Sequence, residues 1–353
     1  MELSAEDEEV EDAGQIEKDV VRTLGKWTHA GAERAARQEA LRRVLLRAFA
    51  QNRGKRHYFQ GCNDVAAVLL LALGEVQAVR VLDWLMNGVL ARWFEPALPP
   101  LVELMAQVMP LVHLENPACH ARLCTADCVS PDYALSWVMT WFAHGTDDLG
   151  AVYAIFDELF AACLDASAEG AKASPPATRI IYLAAQTVLT CAEDLCRIPC
   201  DLPSVHQYFA REMPPVVTAA HAGVHTSSSR CPVCAAIRHN IHGDGSSGSS
   251  GSGGNGSSRV IVVDELIAGA RQLQQRWNWD ALQEHRVELA REEEAQEREC
   301  DRRAQQALDD AVHRARETAA AASSDWRTNA FVVGGVVLSF AAVAAAIYIG
   351  NSP

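Results

Sequence analysis

Val65-Ala66-Ala67-Val68-Leu69-Leu70-Leu71-Ala72-Leu73-Gly74-Glu75-Val76-Gln77-Ala78-Val79-Arg80-Val81-Leu82-Asp83-Trp84 is the stretch that decides the fold class. Its apolar residues recur at three- and four-residue spacing and cover most of the circumference. That is the pattern of a helix buried on nearly all sides, not of a strand, whose side chains alternate. The same periodicity continues outward through residues 32–49, 98–112, 132–142, 149–163 and 179–195. Short Pro, Gly or Asn breaks separate these segments, and strand-like runs are few. Helices of this kind bury their apolar faces against one another, so the expected fold is all-α.

With 353 residues, nearly half of them apolar, the chain is long enough for one sizeable core plus appendages. The formal charge of −14 and the acidic opening run (Glu6, Asp7, Glu8, Glu9, Glu11, Asp12) exclude nucleic acid as a general partner, because phosphate-backbone binding needs a concentrated excess of Lys and Arg. Eleven cysteines show no framework spacing, and the N-terminus is charged where a secretory signal needs an apolar stretch. The bulk of the chain is therefore expected in the cytosol with reduced thiols. Cys191, Cys196 and Cys200 are read as core or near-core thiols.

Composition divides the chain further. Residues 1–14 form an acidic disordered tail, and residues 15–218 the main helical domain. Residues 219–258 are a flexible insertion ending in the Gly/Ser run 245–258, which has too little apolar surface to offset its ordering entropy. Residues 259–280 return to a closing helix carrying Val262, Leu266, Leu273 and Trp277. Residues 281–328, rich in Glu, Arg, Gln and Ala, make a charged helical spacer with same-face ion pairs and too few apolar positions for a coiled coil. Cys231, Cys234, His239 and His242 lie inside the insertion. Their spacing matches no common finger, so no metal is expected there.

Residues 330–349 are twenty residues without a charge. At about 1.5 Å per residue they span a hydrocarbon core of roughly 30 Å. Only Asn351, Ser352 and Pro353 follow, so insertion has to come after translation. Residues 329–350 are thus expected to be one C-terminal transmembrane helix, a tail anchor with the N-terminal mass in the cytosol.

Two motifs carry the chemistry. Ile16-x-x-Asp19-x-x-Arg22 has helical spacing, placing the three side chains on one face. Tyr58-Phe59-Gln60-Gly61-Cys62-Asn63-Asp64 follows a basic stretch (Arg53, Lys55, Arg56, His57) and precedes an apolar helix. Gly61 permits a turn there, and Asn63 or Asp64 is suited to cap the helix. Trp137 and Trp141, one turn apart, are read as core packing, and His144 as a capping or packing histidine.

Together and in this order the two motifs resemble the catalytic pair of the TBC-domain family of Rab GTPase-activating proteins. The likeness continues through residues 133–144, 153–160, 200–206 and 263–273, and is strongest to the tail-anchored subgroup. It implies a TBC-type helical domain over residues 15–218, closed by 259–280. It also implies a function: stimulation of GTP hydrolysis by a Rab-family GTPase in its GTP form, in traffic between endoplasmic reticulum and Golgi, from the endoplasmic reticulum membrane. Such a protein is not itself an enzyme but completes its partner's active site. It has no cofactor of its own and acts on the GTP and Mg held by the partner.

In that mechanism Arg22 stabilises charge developing on the phosphate, since a guanidinium is always protonated and donates several hydrogen bonds. Gln60 holds the attacking water in line, its amide both accepting and donating. Asp19 orients Arg22 or pairs with the GTPase surface, Tyr58 packs behind Gln60, and Asn63 and Asp64 hold the loop. Ile16 and Gly61 complete the supporting set. The family pattern also leads one to expect further helical residues ahead of Ile16, including an Arg- and Trp-bearing segment, whereas fifteen residues rich in acid, seven of them Asp or Glu, stand there. Cys62 replaces a bulkier residue. These departures keep open an alternative, a membrane-anchored Rab-binding scaffold without catalysis.

Overall fold

The computed structural model describes residues 10–88, 90–95, 99–169, 176–225 and 259–323. Two compact units divide the chain, residues 1–286 and residues 287–353. In the first, α1 (Ala13–Arg22), α2 (Ala32–Gln51), α3 (Cys62–Leu73) and α4 (Glu75–Asn87) precede α5 (Pro99–Met105), α6 (Val108–Glu115) and α7 (Pro117–Thr125). Then come α8 (Leu135–Thr140), α9 (Leu149–Glu169), α10 (Arg179–Thr190), α11 (Ala192–Leu195), α12 (Leu202–Gln207) and α13 (Ala219–His225). Helix α14 (Val263–Arg276) closes this unit together with the first turns of α15 (Trp279–Ser323).

The stretch 65–84 is two helices, not the one its periodicity suggests. Gly74 ends α3 and begins α4 at φ +77°, a conformation strained for any residue with a Cβ. The corner folds α4 back onto α3 and α2. Likewise, 98–112 breaks between α5 and α6, where Pro110 cannot donate to the carbonyl one turn earlier and is tolerated only in a first turn. Two helices that periodicity missed, α7 and α12, carry legible start signals. Asn116 and Asp201 accept from the main-chain N–H groups of Cys119 (3.0 Å) and Ser204 (2.8 Å), with a proline in each first turn.

Helix α10 forms the centre of the unit. Residues 180–185 have no solvent exposure, because α6, α8, α9 and α14 pack around them. The Tyr182 hydroxyl donates to the Trp277 carbonyl at 2.8 Å, tying the closing segment to this core. The all-α expectation needs one addition, a two-residue parallel pair. β1 (Val216–Val217) meets β2 (Ile261–Val262), with Val216 opposite Ile261. It brings together the two ends of the 219–258 insertion, so the closing helix resumes where the main domain stopped.

Other expectations need adjustment. Helix α1 starts at Ala13, inside the stretch expected as disordered tail. The packed unit runs to Arg286, not residue 280: Leu282 is fully buried, the Gln283 amide donates to Gln107 at 2.9 Å, and His285 lies 3.0 Å from His113. Cys191 is a core thiol, but Cys196 and Cys200 are exposed. The reason is Arg122, whose guanidinium donates to the Leu195 and Ile198 carbonyls and holds that segment as a surface turn.

The described part of the second unit is the remainder of α15. It is largely exposed and carries one-turn ion pairs such as Glu294–Arg298 (3.3 Å) and Glu299–Arg303 (2.8 Å). Among the described residues no helix is long and apolar enough to cross a membrane. The apolar stretch 330–349, the Gly/Ser run 245–258 and the residues Cys231, Cys234, His239 and His242 lie outside the described residues.

Candidate functional site

Ile16, Asp19 and Arg22 share helical spacing but not depth. Ile16 and Asp19 are buried, whereas Arg22, the last residue of α1, keeps 63% of its side chain exposed. Its Nη2 donates to Asp19 Oδ1 and its Nε to the Lys18 carbonyl at 3.3 Å. A carboxylate removed from water at this depth needs donors. Asp19 has two more, the Gln15 amide at 3.1 Å and the Tyr58 hydroxyl at 2.9 Å. At 2% exposure Asp19 has almost no surface to offer a partner, and its carboxylate faces Arg22 instead.

The second motif folds against this helix end. Gly61 adopts φ +115°, and a Cβ there would stand 2.9 Å from Thr140 Cγ2, so both backbone and space demand glycine. Asn63 Oδ1 accepts from the Gly61 N–H at 3.0 Å and lies 3.1 Å from the Tyr58 hydroxyl. Its Nδ2 donates to Thr23 Oγ1 at 2.9 Å, and that hydroxyl donates to the Asp19 carbonyl at 2.6 Å. The Tyr58 N–H donates to Asp12 Oδ2 at 2.9 Å, and its ring meets Phe49 edge-on at 5.5 Å. Burial, foremost, pushes the Tyr58 phenol well above its ordinary pKa, so it stays a donor. Gln60 itself is exposed.

Neither Asn63 nor Asp64 caps α3. Gly61 holds the cap position without a side chain, and the Asn63 oxygen is already taken by the Gly61 N–H. Cys62 is fully buried beneath the loop, and burial pushes its thiol pKa up, with Asp64 adding to the effect.

Asp64 instead accepts from His144 Nδ1 at 2.8 Å. This corrects the reading of His144 as a capping or packing residue, since its side chain is 67% exposed and only its Nδ1 edge is engaged. His144 follows a turn in which Trp141 (φ 52°) and Phe142 (φ 64°) are both left-handed, at a cost on the order of 1–3 kcal/mol each. Both are core residues: Trp141 meets Phe156 edge-on at 5.1 Å and Phe142 stacks on Trp137 at 5.7 Å. Trp137 and Trp141 are thus packing residues, as their spacing suggests.

Lys26, which sequence reasoning missed, donates from Nζ to the carbonyls of Ala143 and of His144 (2.6 Å) and lies 4.5 Å over the Trp27 ring. The residue is exposed overall, yet crowding around its ammonium lowers its pKa, against the opposing charges of Asp64 and Asp147. No local pattern marks Lys26, because its partners lie more than a hundred positions away.

The site therefore presents an exposed guanidinium held by Asp19 and an exposed amide on a loop whose backbone is held by Asn63. Among the described residues no group of three His, Cys, Asp or Glu side chains has metal-binding geometry. A guanidinium so placed is suited to phosphate oxygens, and an amide to orienting a water.

Residues 1–184 match the family of the Rab-GTPase-TBC domain. TBC1 domain family member 20 of Homo sapiens is 29% identical over 202 residues, 57% of this chain and 46% of that protein. The Bos taurus protein of the same name matches to the same extent. GTPase-activating protein gyp10 of Schizosaccharomyces pombe is 30% identical over 132 residues, 37% of this chain and 32% of that protein. The chain spans less than half the length of these curated relatives.

Proposed function

Because the chain belongs to the Rab-GTPase-TBC domain family, we propose that it accelerates GTP hydrolysis by a Rab-family GTPase, with Arg22 and Gln60 inserted together into the partner's nucleotide pocket. The observation that carries this reading is the chain of hydrogen bonds from Arg22 through Asp19 to Tyr58, and on through Asn63 to Gly61, which flanks Gln60 on both sides. Arg22 is tethered through its own guanidinium and the backbone on both sides of Gln60 is held, which supports a role in positioning charge while leaving both side chains exposed.

In the complex the Arg22 guanidinium neutralises charge developing on the transferred phosphoryl oxygens, and the Gln60 amide orients the attacking water. Trans-acting arginines in GTPases contribute on the order of 10³ to 10⁵ in rate. Val21, 72% exposed beside Arg22, offers apolar contact to the partner surface. The nucleotide and its Mg belong to the GTPase.

The test is single-turnover GTP hydrolysis across a panel of Rab proteins with wild type, Arg22→Ala and Gln60→Ala. Acceleration of at least one Rab that each substitution cuts by about a hundredfold or more, down to a small measurable remainder, supports the reading. Wild-type acceleration by Arg22→Ala refutes it, and nucleotide-dependent Rab binding without faster hydrolysis identifies a scaffold.

The proposal extends to the membrane. The uncharged stretch 330–349 supports a tail anchor, and likeness to the tail-anchored subgroup supports the endoplasmic reticulum as its location. Full-length chain retained in membranes after alkaline carbonate extraction, with a chain ending at residue 328 released, is the expected result.

A further inference from the structure

The two proposed finger segments are not only hydrogen-bonded to each other; a third segment clamps both. Lys26 stands four positions after Arg22, on a loop made rigid by its own bonds. Thr28 Oγ1 donates to the Leu24 carbonyl at 2.8 Å, and Arg34 Nη2 donates to the Gly25 and Thr28 carbonyls at 2.9 Å each. Leu24, left-handed at φ 70°, is buried at the bend. From this loop Lys26 reaches the Ala143 and His144 carbonyls.

On the other side, Asp64 stands four positions after Gln60, in the first turn of α3. It is buried, and its carboxylate takes the His144 Nδ1 hydrogen. Thr140, at the end of α8, stands against Gly61 through its Cγ2, and its Oγ1 accepts from the His144 N–H at 3.0 Å. The 140–144 turn is thus held to the Arg22 segment by Lys26 and to the Gln60 segment by Asp64 and Thr140.

We infer that Lys26, Asp64 and His144 are positioning residues that set the separation of Arg22 and Gln60 through the 140–144 turn. This rests on the two-finger reading above. None of the three has to touch the nucleotide. The imidazole serves through its tethered Nδ1, and the ammonium through its two carbonyl acceptors. A guanidinium and an amide acting on one phosphoryl group need their spacing held to a fraction of an ångström, and the direct bonds through Asp19 and Asn63 constrain only the roots of the two segments.

The experiment is single-turnover hydrolysis by a responsive Rab with full-length protein in detergent, over a range of activator concentrations. It uses Lys26→Met, His144→Ala and His144→Asn, the last keeping a side-chain N–H where Nδ1 stands. The expected result is a 5- to 50-fold lower maximal rate for Lys26→Met and His144→Ala, with half-saturating concentration within twofold of wild type and a melting temperature lowered by a few degrees at most, all variants being assayed well below it. His144→Asn recovers most of the rate. In an Arg22→Ala background, Lys26→Met lowers the remaining rate by less than twofold, because a separation has no consequence once one finger is gone.

Wild-type maximal rates for Lys26→Met and His144→Ala, alongside a crippled Arg22→Ala, overturn this inference alone. So does an effect that multiplies with Arg22→Ala or falls only on half-saturation. An unimpaired Arg22→Ala overturns the two-finger reading and this inference with it.

Discussion

The Tyr58 hydroxyl donates to Asp19 Oδ2 at 2.9 Å, joining residues 39 positions apart through a carboxylate whose other oxygen holds Arg22. One buried acid thus serves an arginine from α1 and the loop that carries Gln60. Tyr58→Phe keeps the ring against Phe49 and removes one donor from the buried carboxylate, at a cost of about 1–2 kcal/mol. Denaturant unfolding should show that loss. The stimulated hydrolysis rate should fall several-fold further than Phe59 substitutions of equal stability cost.

Gly61→Ala should be more damaging than its size suggests. A methyl group at φ +115° is strained, and it would stand 2.9 Å from Thr140 Cγ2. A destabilisation of about 2–3 kcal/mol is expected, measured by chemical unfolding. Thr140→Ser in the same chain removes the clashing methyl and keeps the Oγ1 contacts, so it should recover the steric share only.

Glu158 is buried between three helices. Arg179 Nη1 donates to it at 2.8 Å and Arg271 Nε reaches both its oxygens at 3.0–3.1 Å, tying α9 to α10 and α14. Glu158→Gln removes the anion that the two guanidinium groups share, and because the Arg271 side chain is 56% exposed the loss is discounted from the buried-pair range to about 1–2 kcal/mol. A melting temperature drop of several degrees, larger than that of Glu294→Gln on exposed α15, is the expected result.

His120 is buried with its ring centroid 4.8 Å from that of His113. Burial, then the charges of His113 and His285, pushes its pKa from 6.5 down to about 4. The unfolded chain therefore takes up a proton near pH 6.5 that the folded chain refuses until about pH 4, and stability falls as pH drops through that interval. By pH 5 the loss is about 1–2 kcal/mol. Comparing unfolding free energies of wild type and His120→Gln from pH 7.5 to 5 should show the wild type losing that much more. Parallel curves would remove the histidine from the account.

Much of this architecture was readable along the chain. Periodicity located α2, α9 and α10, the Asn116 and Asp201 caps mark helices that periodicity overlooked, and Gly74 shows why one apolar run becomes two helices. These are interactions within a few residues, which sequence spacing reports directly. The two motifs likewise single out Arg22 and Gln60 as candidates, through their resemblance to a known family's pair, and the residue types suit phosphate and water.

What sequence spacing left open is depth and company. It placed Ile16, Asp19 and Arg22 on one face, but only the packing of α1 on α2 and α3 buried the first two and exposed the third. Lys26, an unremarkable lysine, gains its partners from a turn 117 and 118 positions away, and Asp64 meets His144 across 80. Such contacts depend on the path of the whole backbone around α10, so the proposed finger residues could be picked out locally, whereas the frame around them was tertiary.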